Sequence, residues 1–219
     1  MKQLLSCLLL ISTLVIMGCN LFTKDDDDND PVLYEGGVVD SVRFQVMAPT
    51  SIQITWAETF TDEDGFYIDR KVWDGEWHNR ILHVGPNVHS VIDETGDLDE
   101  VYYYHVYAYK GDAESVKEQI QYNFNLPYPD NVDWSYNPNS SPTHIRLFWT
   151  NLATWADSIV VAKKINYEVV DSHYAKLAGN ATEYTDVAYD HALTTTYGFT
   201  AYYQDHTSQQ YNLTLVPPK

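Results

Sequence analysis

Val101-Tyr-Tyr-Tyr-His-Val-Tyr-Ala-Tyr-Lys110 is the stretch on which the fold turns. Side chains of an extended strand alternate between two faces. Read with that period, Tyr102, Tyr104, Val106 and Ala108 point inward, while Tyr103, His105, Tyr107 and Tyr109 point outward. Aromatic and β-branched residues suit such a pleated surface. Outward from this run, similar short segments recur about every 8–12 residues between turn residues, the spacing of a β-sandwich. They are Val38–Val46, Ser51–Ala57, Phe66–Trp73, Trp77–Val84, Val88–Asp93 and Ser115–Phe124. Asp64-Gly65 and Asp74-Gly75 supply tight turns, where glycine tolerates positive φ. No segment of useful length carries a 3.6-residue apolar period, so no long helix is expected.

Ser51-Ile-Gln-Ile-Thr-Trp56 resembles the second strand of a fibronectin type III domain with its buried tryptophan. Asp64–Arg70 resembles the third strand, Val88–Asp93 the fifth, and Leu98 with Tyr102–Ala108 the sixth. The resemblance implies that Tyr102 forms the tyrosine corner, tying down a loop through its hydroxyl. The second half repeats this order. Thr143–Trp149, Asp157–Ile165, Asn180–Asp186 and Thr196–Tyr202 stand in for the same strands, with Trp149 in the core and Tyr197 at the corner. Trp56 and Trp149 are 93 positions apart, and Tyr102 and Tyr197 are 95 apart, as a tandem duplication requires. The prolines of Leu126-Pro-Tyr-Pro-Asp130 cannot join a central strand and mark the boundary. The expected fold is all-β, with two tandem immunoglobulin-like, fibronectin type III sandwiches over residues 37–126 and 127–219.

The N-terminus gives an address. Lys2, the apolar run Leu4–Met17 and Gly18 fit a secretory signal of residues 1–18. The run is shorter than the roughly 20 apolar residues of a membrane span. Cys19 directly after a glycine resembles the lipid-attachment cysteine of bacterial lipoproteins, which implies acylation and cleavage before it. Residues 19–36 then form a lipid-anchored tether. Asp25, Asp26, Asp27 and Asp28 repel one another and bury nothing, so disorder is expected there. Lys24 and this acidic run resemble the export signal of surface lipoproteins. The implied place is the cell envelope, at the outer membrane, exposed on its surface if this run is that signal and facing the periplasm if it is a plain solvated spacer.

Removing residues 1–18 takes away Lys2 and leaves 31 acidic side chains against 12 lysines and arginines, a formal charge of −19. Such a surface repels nucleic acid, which excludes it as a partner. Cys7 leaves with the signal and Cys19 is acylated, so the mature domains have no disulfide to lean on. No Gly-x-Ser-x-Gly is present, and with so many acids a carboxylate pair says nothing, so no catalytic residue and no enzyme activity are expected. The eight histidines form no His-x-x-x-His, and no metal or other cofactor is expected. Asp62, Glu63, Asp64 and Gly65 resemble a fragment of a calcium loop, with a solvated turn as the favoured reading.

One feature points to binding. If the third and sixth strands are neighbours, one outer face gathers Tyr67, Trp73, Tyr103, His105, Tyr107 and Tyr109, with Phe66, Ile68 and Val72 turned inward. Exposed aromatic patches mark interaction sites, and aromatic faces also stack on sugar rings. Trp77 and Trp155 fall near loops, either extending such a site or lying at the edge of a core. The expected function is that of a non-catalytic binding or adhesion lipoprotein, with a protein partner slightly favoured over polysaccharide. The alternative is a structural spacer or assembly subunit of an envelope complex.

Overall fold

Glu100–Lys110 forms an eleven-residue strand inside a sheet; Tyr102, Tyr104, Val106 and Ala108 are buried inward, and of the outer residues Tyr103, His105 and Tyr109 are half-covered while Tyr107 is buried. The structure, a computed structural model, describes residues 32–136 and 144–217. The signal segment, Cys19 and the acidic run lie outside the described residues. The first module contains β1 (Val39–Ala48), β2 (Ser51–Glu58), β3 (Gly65–Val72), β4 (His78–Val84), β5 (Ser90–Asp93), β6 (Glu100–Lys110), β7 (Ala113–Glu114) and β8 (Glu118–Phe124). Three strands pair in the order β1-β2-β5; the facing sheet runs β4-β3-β6, with β7 and β8 on the far side of β6. The second module repeats this with β9 (Asp130–Tyr136), β10 (Ile145–Thr150), β11 (Ser158–Ile165), β12 (Glu168–Ala178), β13 (Glu183–Asp186), β14 (Thr195–Tyr203), β15 (His206–Thr207) and β16 (Tyr211–Leu215). Its sheets are β9-β10-β13 and β12-β11-β14, with β15 and β16 on β14. All pairings between these strands are antiparallel, and no helix occurs among the described residues. This is the strand order of a fibronectin type III sandwich, twice.

Between the sheets of the first module, Ile52, Ile54 and Trp56 meet Phe66, Ile68, Tyr104 and Val106. In the second, Ile145, Leu147 and Trp149 meet Ile159, Val161 and Phe199. Each such side chain stabilises the fold by about 1.5–3 kcal/mol on burial. No cysteine lies among the described residues, so these contacts carry the load. Gly65 opens β3 at φ 152°, where a Cβ would collide with the Val84 carbonyl oxygen. The Asp74-Gly75 turn closes through the Gly75 amide on the Val72 oxygen at 2.6 Å. It does so without the positive φ expected of its glycine.

A polar pin crosses each core. Arg70 is the third inward position of β3; Val72, expected inward, ends the strand exposed. Arg70 Nη1 lies 2.7 Å from Asp93 Oδ2 on the opposite sheet, and the Tyr104 hydroxyl donates to the same oxygen at 2.9 Å. The Thr95 amide and hydroxyl donate to Asp93 Oδ1. In the second module Lys163 Nζ and the Tyr197 hydroxyl donate to Asp186 Oδ2 at 2.6 and 2.5 Å. Tyr174 and the Ala188 amide satisfy Oδ1. Burial alone would raise both carboxyls; these donors and cations outweigh it and hold both below the ordinary aspartate range.

These contacts correct one expectation. Tyr102 is the corner residue, its hydroxyl accepting the Asp97 amide at 2.8 Å. Tyr197 is not a corner, because its hydroxyl is spent on Asp186. Its counterpart is Tyr104, and that pair is 93 apart, as are Trp56/Trp149, Arg70/Lys163 and Asp93/Asp186. The register extends to the hairpins. Ser115 Oγ accepts the Ala108 amide, and Ser208 Oγ accepts the Ala201 amide. Asp64 accepts the Gly111 amide, and Asp157 accepts the Gln204 amide. The position matching Tyr102 is Thr195, whose buried hydroxyl has no partner among the described residues.

The modules meet through apolar contact. Ala153 and Ala201 of the second are fully buried in the cluster that forms the first module's core, with Trp155 and Tyr203 packed against it. Trp155 is thus an edge-of-core residue. His206 Nδ1 lies 2.6 Å from Asp99 Oδ2 across the junction.

Lys163 and Asp186 are almost fully buried. Replacing Lys163 with methionine strands a carboxylate, and a loss of about 3–5 kcal/mol is expected in urea unfolding. Because both aspartates have folded pKa values below their unfolded ones, the unfolded chain binds more protons at low pH. Their stabilisation is present above about pH 4 and is lost as pH falls through the folded values; urea midpoints measured between pH 7 and 2.5 check this.

Candidate functional site

The outer face of the sheet β4-β3-β6-β8 brings the sequence-expected residues together. The register aligns Tyr67 with Tyr107, Asp69 with His105 and Lys71 with Tyr103. Adjacent strands thereby set aromatic, acidic and basic side chains within reach of one another. The face divides into a closed part and an open part.

The closed part is built around Asp69, which is fully buried. The Tyr107 hydroxyl and the Arg80 amide donate to its Oδ1 at 2.9 and 2.7 Å. Lys117 Nζ donates to Oδ2 at 3.4 Å, and His105 Nδ1 stands 3.5 Å from the same oxygen. The Arg80 amide reaches inward because a bulge in β4 puts Arg80 at φ 51°. Its guanidinium lies over the Tyr67 ring, 4.5 Å from the centroid, and bonds Glu114. Tyr67 stacks on Tyr109 at 4.2 Å, and Trp77 stacks on His105 at 3.7 Å.

Tyr107 departs from expectation. It lies on the outer side of the sheet but is fully buried, because Asp69 draws in its hydroxyl and Lys117 covers its ring at 3.9 Å. Burial pushes its pKa up to about 12, Lys117 opposing and Asp69 adding to the effect. Burial under Trp77 lowers His105, partly countered by Asp69. Trp77 therefore belongs to the closed part as its lid.

The open part holds Trp73, which is 58% exposed, and the half-buried Tyr103, ring centroids 6.0 Å apart. Lys71 Nζ sits 5.0 Å from the Tyr103 ring and makes no ion pair among the described residues. Gln121 lies directly across from Tyr103 on β8, and its amide donates to Asn123 Oδ1 at 3.2 Å. Sequence reading missed these two amides, whose alternation on β8 is the signal that places them. Trp56, Tyr102, Trp149 and Tyr197 are buried and belong to the scaffold.

Elsewhere, Asp62 bonds Tyr34 and Lys110, Glu63 accepts the Asn87 amide and Asp64 accepts the Gly111 amide. These carboxylates tie loops together in the manner of a structured turn. No cluster of three or more potential metal ligands occurs among the described residues. A cavity of about 450 Å³ opens beside Trp134, Tyr136, Tyr189, His191 and Val216 of the second module. A second cavity, about 420 Å³ beside Phe44, Val46 and Tyr122, is walled by Leu126, Pro127 and Leu152.

No protein-family model matches the chain, and no curated relative does. Among solved structures, the chain is similar to a two-domain fibronectin type III segment of chicken tenascin, at 14% identity over 81% of this chain and 98% of that one, with a TM-score of 0.41. It is also similar to the FN1–FN3 domains of chicken CNTN1, at 11% identity over 84% of this chain and 68% of that one, TM-score 0.38. A myokine structure is 19% identical over 44% of this chain and 100% of that one, TM-score 0.35. The fold assignment rests on the strand order and registers above.

Removing the lid by Trp77→Ala should expose His105 and raise its pKa toward the ordinary histidine value of about 6.5. An NMR pH titration of the imidazole reads this directly; an unmoved pKa would mean that Trp77 does not desolvate it.

Proposed function

We propose that this chain is a non-catalytic binding lipoprotein of the cell envelope, anchored through Cys19 and displayed at the outer membrane, which captures its partner with the outer face of the first module. One observation carries the reading. The repeat holds the scaffold at a constant offset while the outer face changes. Against Tyr67, Trp73, Tyr103, His105 and Tyr107, the second module has Val160, Asn166, Thr196, Gly198 and Thr200, and of the six only Tyr109 keeps an aromatic counterpart, Tyr202. The pins, the hairpin serines and the core tryptophans serve folding in both copies. The aromatic face serves something that only the first module does.

The signal-like segment and Cys19 support the anchor, and the acidic tether supports projection away from an anionic membrane surface. The spacer reading has its own support in the apolar junction, since Ala153, Ala201, Trp155 and Tyr203 stiffen the link between modules.

Two measurements test the proposal. Labelled palmitate should enter the chain in a bacterial host and be lost in Cys19→Ala. Trp73→Ala with Tyr103→Ala should abolish attachment of the purified mature chain to cells without shifting its urea midpoint, because neither side chain is in the core. Undiminished attachment would favour the spacer.

A further inference from the structure

We infer that the open corner of the first module, formed by Lys71, Trp73, Tyr103, Gln121 and Asn123, is a subsite for a pyranose ring of a neutral polysaccharide. The inference rests on the binding face proposed above and names the chemistry that its open part fits.

Size argues first. A specific protein interface buries about 800 Å² per partner around a dry apolar centre. Here Tyr107 is fully buried and Tyr67, Tyr109 and His105 are half-covered, so Trp73 is the sole strongly exposed aromatic of the six expected on this face. One indole with one tilted phenol, 6.0 Å and 36° apart, makes a shallow shelf about as wide as a sugar ring or two. The C–H face of a pyranose packs on such rings, because the weakly positive C–H groups meet the negative face of the π-system.

The polar rim argues next. Gln121 and Asn123 bond each other through Gln121 Nε2 and Asn123 Oδ1, which leaves the Gln121 oxygen and the Asn123 amino group to face a ligand beside the shelf. Lys71 adds an ammonium group, and the exposed Asp74 and Glu76 follow Trp73 in the turn before β4. Vicinal hydroxyls both donate and accept, so a rim mixing amides, carboxylates and one cation matches them. Charge selects among sugars. A chain of net charge −18, with Asp74 and Glu76 exposed in the turn that follows Trp73, repels a polyuronate or sulfated chain. A neutral polymer meets no such barrier. The second module confirms that the fold does not need the corner, since Lys164, Asn166, Thr196, Thr214 and Val216 stand there without an aromatic shelf.

The test is a titration of the mature chain with neutral hexasaccharides built on glucose, mannose, xylose and N-acetylglucosamine, and with hexagalacturonate, followed by tryptophan fluorescence and amide NMR. At least one neutral sugar should bind and shift the Trp73, Gln121 and Asn123 signals. Trp73→Ala should weaken that binding about tenfold or more, the scale of losing one ring contact. Binding unaffected by Trp73→Ala, or binding of hexagalacturonate alone, would overturn the inference. If no sugar binds while cell attachment still requires Trp73 and Tyr103, the glycan assignment fails and a protein partner takes its place on the same face. If attachment is also independent of them, the binding face itself fails.

Discussion

A buried aspartate at the end of the fifth strand of each module, held by a cation and a tyrosine from the opposite sheet, is the constraint on which the structure depends. Hydrophobic contact between two sheets is non-directional and tolerates sliding. Asp93 and Asp186 remove that freedom, since each can be satisfied only when its sheet stands in one register against Arg70 and Tyr104, or Lys163 and Tyr197. The modules have no disulfide for this task. Burying an ion pair does little for net stability, because desolvation offsets the attraction. Its effect lies in geometry: a slipped register would leave a carboxylate buried without its donors.

That constraint explains what the two modules share and where they differ. The pin, the core tryptophan and the hairpin serine recur at an offset of 93, with no insertion between them. Residues on the outer side of the same strands are free of this demand. In the first module they form a packed cluster around Asp69 beside an open shelf; in the second, Val160, Ala162, Thr196, Gly198 and Thr200 stand at most of these positions, with Lys164 and Tyr202 kept. Asp69 shows how the closed half is held, with tyrosine, lysine, histidine and a bulge-turned amide around one carboxylate.

Much of this was legible in the sequence. Period-two alternation located the strands of the first module to within a few residues, and it put Tyr67, Trp73, Tyr103, His105, Tyr107 and Tyr109 on one side of a sheet. Alternation reports side, not exposure. Nothing in the local pattern says that Lys117, from the segment before β8, folds over Tyr107, or that Trp77 lies flat on His105. Sequence reading places Tyr102 at its corner but misplaces Tyr197 at one, because both face inward and alternation does not separate a corner from a pin. Only their partners do, the Asp97 amide for Tyr102 and the Asp186 carboxylate for Tyr197. Arg70 alternates onto the inward side with Phe66, Ile68 and Val72, but a strand pattern gives no hint that a cation there will find its carboxylate across the core.

The cross-sheet pin is tested most directly by a double-mutant cycle on Arg70→Met and Asp93→Asn, singly and together, read by urea unfolding of the mature chain. Residues acting as one unit couple by about 0.5–3 kcal/mol, and the account requires a value in the upper half of that range. A coupling energy near zero, with the two losses simply additive, would show that the two side chains touch without holding the sheets in register.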